Sequence, residues 1–148
     1  MTTADDGADN ARLSMGAGDA ELDAQLSREL DAHNVAASGL DDQREFTVKV
    51  EGDDGQLLAG LSGWTWGTCA GIAMVWVRED ARGSGWGARL LGAAEQEARR
   101  HGCRRLTVSS FTFQAPGFYE RHGFVETGRT EGLPVEGQAD VHFVKLLV

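Results

Sequence analysis

The sequence predicts an α/β (α+β) domain in which hairpin-forming strands come first and helices flank the sheet they build. Three observations predict it. Phe46, Val48 and Val50 alternate with Thr47, Lys49 and Glu51, the period of a half-buried strand, and Asp53-Asp54-Gly55 follows as a hairpin turn. Residues 72–77 form an almost unbroken apolar run, as expected for a central strand covered on both faces. That run leads through a glycine-rich turn into a helix whose Leu90, Leu91, Ala94 and Ala98 share one face.

The elements follow in order. Residues 1–18 are rich in Ala, Gly, Asp and Thr and bury little, so a mostly disordered tail is expected, with a weak edge strand at residues 11–15. Asp19 caps a helix running to His33, with Leu22, Leu26 and Leu30 in one stripe, and residues 34–42 read as a loop. A strand over residues 56–66 completes the first hairpin, and Gly67-Thr68 marks the next turn. The helix after the glycine turn ends on Arg99, Arg100 and His101, where positive charge opposes the dipole, and Gly102 stops it. Leu106 and Val108 suggest a short strand. Residues 115–122 fit a short helix with Pro116 in its first turn and Gly123 at its end. Residues 124–148 read as two strands joined by a loop over 132–137. Beyond the tail, residues 19–148 are expected to form a single domain.

Composition narrows the function classes. At 148 residues with 41% hydrophobic, the chain has the size and apolar content of one ordinary domain. No apolar run approaches the roughly 20 residues that span a bilayer, and the N-terminus lacks a signal-peptide pattern; a cytoplasmic protein with no membrane partner is expected. Cys69 and Cys103 make no disulfide framework and no zinc-ligand spacing, so both are expected to be reduced and no metal is expected. A net charge of -9, from 14 Lys+Arg against 23 Asp+Glu, repels nucleic-acid phosphates. It suits a cationic small molecule or basic peptide.

Chemistry concentrates in Val75-Trp76-Val77-Arg78-Glu79-Asp80-Ala81-Arg82-Gly83-Ser84-Gly85-Trp86-Gly87-Ala88, which reads as strand, turn and helix start. At a helix N-terminus the first backbone N–H groups lack partners and carry partial positive charge, so a phosphate can sit on the main chain. Side chains at Gly83, Gly85 or Gly87 would hold it away, and Arg82 adds a forked cation. As letters the turn also matches a dinucleotide-binding GxGxxA. That fingerprint requires an alternating parallel domain and an acidic residue some 20 positions on, and the stretch around Cys103-Arg104-Arg105 offers none. A glycine loop that merely caps a helix is the bland alternative.

From Arg82, the pattern Arg-x-x-Gly-x-Gly resembles the GNAT superfamily of acyl-CoA-dependent N-acetyltransferases. Val75-x-Val77 before the turn and Ala115-x-x-x-Tyr119-x-x-x-Gly123-Phe124 after the helix extend the resemblance over about residues 46–124. It implies a GNAT-like fold, with a central mixed, mostly antiparallel sheet splayed near Val75 and Val77. Backbone amides of Gly83, Ser84, Gly85, Trp86, Gly87 and Ala88 would hold the coenzyme A pyrophosphate beside Arg82. Main-chain groups of Val75 and Val77 would pair with the pantetheine arm, the Val75 N–H would polarise the thioester carbonyl, and Tyr119 would be general acid to the leaving thiolate.

Thr112 stands where many members carry Asn; it and Gln114 are further cofactor contacts, against the plainer reading that they satisfy nearby backbone groups. Glu79 and Asp80 are the carboxylates available as base or water-positioning groups, against the reading of solvated loop residues. Trp76 and Trp64, with His33 and Asn34 at the end of the first helix, are the candidate acceptor residues. His142 has no assigned partner.

The function implied is transfer of acetyl from acetyl-CoA, as cosubstrate, to a primary amine of a small molecule or peptide by direct attack in a ternary complex. A non-catalytic acyl-CoA-binding sensor is the alternative, distinguished by its having no use for Tyr119. A homodimer is left open.

Overall fold

The computed structural model describes residues 10–148. The described residues fall into two units, one ending at Gly39 and the other spanning Leu40–Val148. Part of the expected tail, residues 1–9, lies outside the described residues, and residues 11–15 form no strand.

The first unit carries helix α1 (Ala20–Ser38). The Asp19 carboxylate accepts from the Leu22 N–H at 3.0 Å, as an N-cap should. The helix passes through residues 34–38, where a loop is expected from the broken apolar stripe. Val35, Ala36 and Ala37 contain no breaker, and the stop is Gly39, left-handed at φ 74° with its N–H on the Val35 carbonyl. Leu22, Leu26 and Leu30 lie exposed along this helix.

The second unit is built on a six-stranded sheet. Its strands are β1 (Arg44–Glu51), β2 (Leu57–Trp66), β3 (Cys69–Val77), β4 (Arg105–Phe111), β5 (Val125–Glu131) and β6 (Ala139–Leu146). Their order is β1-β2-β3-β4-β6-β5, antiparallel throughout except where β3 meets β4. The hairpin turn uses Gly55 at φ 79°, and the Asp54 carboxylate accepts from the Gln56 N–H at 3.0 Å. A one-turn 3-10 helix (Glu79–Ala81), not foreseen from the sequence, precedes α2 (Trp86–Arg100); a short α3 (Pro116–Arg121) follows β4.

One face of the sheet holds the core. Leu90, Leu91, Ala94 and Ala98 of α2 pack with Leu61, Ile72, Leu106, Val141 and Phe143. Area removed from water favours burying each of these Leu, Ile, Val and Phe side chains by about 1.5–3 kcal/mol, and each alanine by less. Lys145 Nζ donates to Glu95 Oε1 at 2.6 Å, tying β6 to α2.

Two local features of β3 shape everything after it. Ser62 pairs with Met74 but Gly63 pairs with Ile72, so Ala73 is an extra residue on β3. The bulge reverses side-chain parity: Val75 and Val77 pack toward the core, whereas Met74 and Trp76 project onto the second face. Pairing with β4, moreover, stops at Gly71↔Thr107. The expectation of a strand covered on both faces therefore fails in its second half, where Met74 is 70% and Trp76 47% exposed.

Two glycines in the sheet are fixed by close approach. A Cβ on Gly71 would stand 2.3 Å from the Trp64 ring, and one on Gly63 would stand 2.5 Å from the Gly71 carbonyl oxygen and 2.7 Å from the Phe46 ring. Gly71→Ala is expected to lower stability by about 1–3 kcal/mol, the usual cost of overpacking, read as a drop in the urea midpoint. An unchanged midpoint would mean that Trp64 does not lie on Gly71.

Candidate active site

The sheet forks where β3 and β4 part. Arg78 N–H donates to the Leu58 carbonyl of β2 at 2.8 Å. Backbone groups alternate in direction along a strand, so the N–H groups of Val77 and Val75 face the opposite edge, into the fork. The Val77 carbonyl confirms the direction by accepting from Arg82 Nε at 3.0 Å. The Val75 and Val77 N–H groups thus lie on an open strand edge with room for an extended ligand.

Beyond the fork stands the start of α2. Gly83 and Gly85 adopt φ 82° and 87°, conformations that side-chain-bearing residues rarely reach, and they fold the chain back sharply into the helix. The N-cap, Gly85, supplies no side-chain cap, and the first turn holds no acidic residue. The Trp86, Gly87 and Ala88 amides are consequently left for a ligand. Gly87 is explained by packing rather than conformation, since a Cβ there would meet the Phe118 ring at 3.0 Å. Ser84 donates its hydroxyl to the Ala81 carbonyl at 2.5 Å, which closes the turn.

A cleft of about 1010 Å³ joins the fork to the helix start. Of the residues singled out from the sequence, Val75, Trp76, Val77, Arg82, Gly83, Gly85, Trp86, Gly87, Ala88, Gln114 and Tyr119 line it. Tyr119, only 7% exposed, is held edge-on by Phe118 and Phe124, with Phe143 behind. Ser110, buried beneath α3, accepts from the Ala115 N–H at 3.2 Å and so fixes where that helix starts.

Burial raises the Tyr119 phenol above its ordinary range. It therefore stays protonated at neutral pH, as an acid must. Its contribution to stability is complete below the unfolded phenol's pKa of about 10 and is lost as pH rises through the higher folded value. Because Tyr119 is the chain's one tyrosine, Tyr119→Phe is expected to flatten the alkaline fall in melting temperature; an equally steep fall in both proteins would count against this burial.

Within the second unit, Thr112, Glu79, Asp80 and Trp64 do not line this cleft. Thr112 donates to Gln138 Oε1 and accepts from the Ala139 N–H at 3.2 Å, which locks the end of β4 to β6 and leaves it out of the cleft lining. The Gln114 carboxamide oxygen accepts from the Phe111 N–H at 2.8 Å, its side chain still at the cleft. Glu79 sits exposed on the one-turn helix and does not line the cleft. Asp80 pairs with Arg78 Nε at 2.5 Å, which holds its carboxyl below the usual range and makes it a poor base. Trp64 shares the second sheet face with Trp76 but lines a separate hollow of about 390 Å³ with Arg44 and Glu45. His33 and Asn34 lie within α1, in the other unit, so the sequence reading of them as a helix end is corrected.

Sequence reasoning missed Ser109, Phe118 and His122, all at the cleft. Phe118 had a signal in its place between Gly117 and Tyr119. His122 Nδ1 donates to the Phe118 carbonyl at 2.8 Å and its ring lies 4.5 Å from Phe118. Among the described residues no cluster suited to a metal ion occurs, and no helix is long and apolar enough to cross a membrane.

A forked sheet feeding an uncapped helix N-terminus defines a domain built to hold an extended ligand with an anionic end, and comparison with known proteins makes the class specific. The chain belongs to the acetyltransferase (GNAT) family, whose model matches residues 17–124. An acetyltransferase of Agrobacterium fabrum is 34% identical over 110 residues, 74% of this chain and 80% of that protein. Blasticidin-S acetyltransferase of Streptomyces morookaense is 43% identical over 77 residues, 49% of this chain and 54% of that protein. The crystal structure of an acetyltransferase from Bacillus cereus has a TM-score of 0.76 at 28% identity, covering 91% of this chain and 98% of that one. The protein is accordingly an N-acetyltransferase, and the sensor and dinucleotide-binding readings are set aside.

Proposed function

We propose that the protein transfers acetyl from acetyl-CoA to a primary amine of a small molecule or peptide by direct attack in a ternary complex. The observation that carries this is the continuity of one cleft, from the unpaired Val75 and Val77 edge to the free amides of α2, with Tyr119 in its wall. The amides and Arg82 take the pyrophosphate. The Val75 N–H faces the growing charge on the thioester oxygen, and Tyr119 gives its proton to the departing thiolate. The second sheet face, with Trp76 at the mouth, receives the amine; an indole face attracts cations. The blasticidin-S acetyltransferase relative supports a small amine-bearing drug within this acceptor class.

The test is thiol release from acetyl-CoA across a panel of blasticidin S, spermidine, free amino acids and peptides with free N-termini. Amine-dependent release is expected. Release with none of these acceptors, together with calorimetry showing NAD but not acetyl-CoA binding, would overturn the proposal.

A further inference from the structure

His142, without a partner in the sequence reading, has two in the structure. Its Nδ1 lies 2.9 Å from Ser109 Oγ on β4, and its Nε2 lies 3.2 Å from Thr130 Oγ1 on β5. Thr127 Oγ1 also donates to the His142 carbonyl at 3.3 Å, which steadies the strand. The two strands pair Ser109 directly with His142. Ser109 lies just past the last β3–β4 pair, Gly71↔Thr107, which places it at the base of the fork. It lines the cleft, on the same sheet face as Trp76.

The geometry points to Ser109 and His142 as a proton relay that deprotonates the incoming ammonium, an assignment that rests on the acetyl-transfer reading above. A neutral imidazole carries one N–H and one lone pair. With the N–H on Nε2 donated to Thr130, the Nδ1 lone pair accepts the Ser109 hydroxyl proton and leaves the Ser109 oxygen open to the cleft. The ammonium then gives one proton to Ser109 Oγ as Ser109 passes its own to His142 Nδ1, producing a neutral amine and an imidazolium. The amine nitrogen bonds to the thioester carbon, the carbon–sulfur bond breaks, and the second nitrogen proton leaves with the coenzyme A thiolate by way of Tyr119. His142 returns its proton to solvent. Products are the amide, coenzyme A thiol and one proton, which balances the ammonium and thioester consumed. The groups facing His142 are Ser109 from β4 and Thr130 from β5; Asp140, two residues along β6, is the charged side chain on its own strand's face. Ser109 is the catalytic residue here, and His142 acts through it.

Two measurements test the relay. The first uses the most active acceptor in the panel and follows kcat/KM against pH. The two profiles are expected to differ in shape: His142→Gln keeps rising toward the amine's own pKa because it must await free amine, whereas the wild type reaches its plateau at lower pH. At neutral pH His142→Gln and Ser109→Ala should each lose about 100-fold, with acetyl-CoA affinity unchanged and Ser109→Thr restoring most of the rate. Superimposable profiles for wild type and His142→Gln would overturn the relay.

The second measurement needs no acceptor. Nitrogen-15 spectra of the ligand-free protein should show His142 as the Nε2–H tautomer, with that preference weakened in Ser109→Ala. A ring protonated on Nδ1 in the wild type would donate to Ser109 and overturn the relay, even if acetyl transfer itself is confirmed. Failure of every acceptor would instead count against the transfer reading, and the tautomer would still decide the relay.

Discussion

Gly85→Glu is expected to raise the acetyl-CoA dissociation constant at least about 100-fold, equivalent to roughly 2.7 kcal/mol. Two effects act together. Gly85 occupies φ 87°, where a side chain costs about 1–2 kcal/mol of local strain, so the turn that presents the α2 amides would shift. The new carboxylate would also sit at the helix N-terminus, where negative charge is favoured, and occupy the seat proposed for the pyrophosphate. Arg82→Ala should cost less, about tenfold, since it removes one screened cation and its hydrogen bond to Val77 while leaving the amides in place. Calorimetry with acetyl-CoA, alongside melting curves showing that both variants fold, reads the effect. Wild-type affinity in folded Gly85→Glu would place the pyrophosphate elsewhere.

Tyr119→Phe carries the second large effect. Removing one hydroxyl leaves the ring to fill its place among Phe118, Phe124 and Phe143, so folding and cofactor binding should persist. The proton for the departing thiolate is lost, and kcat should fall by about 100-fold or more, the range for a general acid. Acetyl-CoA affinity should stay within about twofold. A rate equal to wild type would remove Tyr119 from the chemistry and reduce it to a core aromatic, which its burial alone would equally explain.

The parts of this site that were legible in the sequence are those set by local chemistry. Strand alternation around Phe46, the glycine turn after Val77, and the stops at Gly102 and Gly123 depend on neighbours within a turn or two. What was not legible depends on distant pairing. The bulge at Ala73 exists only against Ser62 and Gly63, and it decides that Val75 faces the core while Trp76 does not. The fork exists because β4 leaves β3 after Thr107, a fact that neither strand carries alone. Thr112 resembled a cofactor contact until Gln138 and Ala139 claimed its hydroxyl across the sheet. His142 was silent for the same reason, its partners Ser109 and Thr130 lying on other strands. Asp80 matches the reading of a solvated loop carboxylate, with Arg78 two residues away as its ion-pair partner.

In the proposed reaction the amine attacks acetyl-CoA directly while both occupy the one cleft. Initial rates of thiol release, measured over a grid of acetyl-CoA and amine concentrations with intact-mass spectra of the protein, test it most directly. Direct attack gives double-reciprocal lines that intersect and a protein mass that stays unmodified during turnover. Parallel lines accompanied by a protein carrying one acetyl group would contradict it.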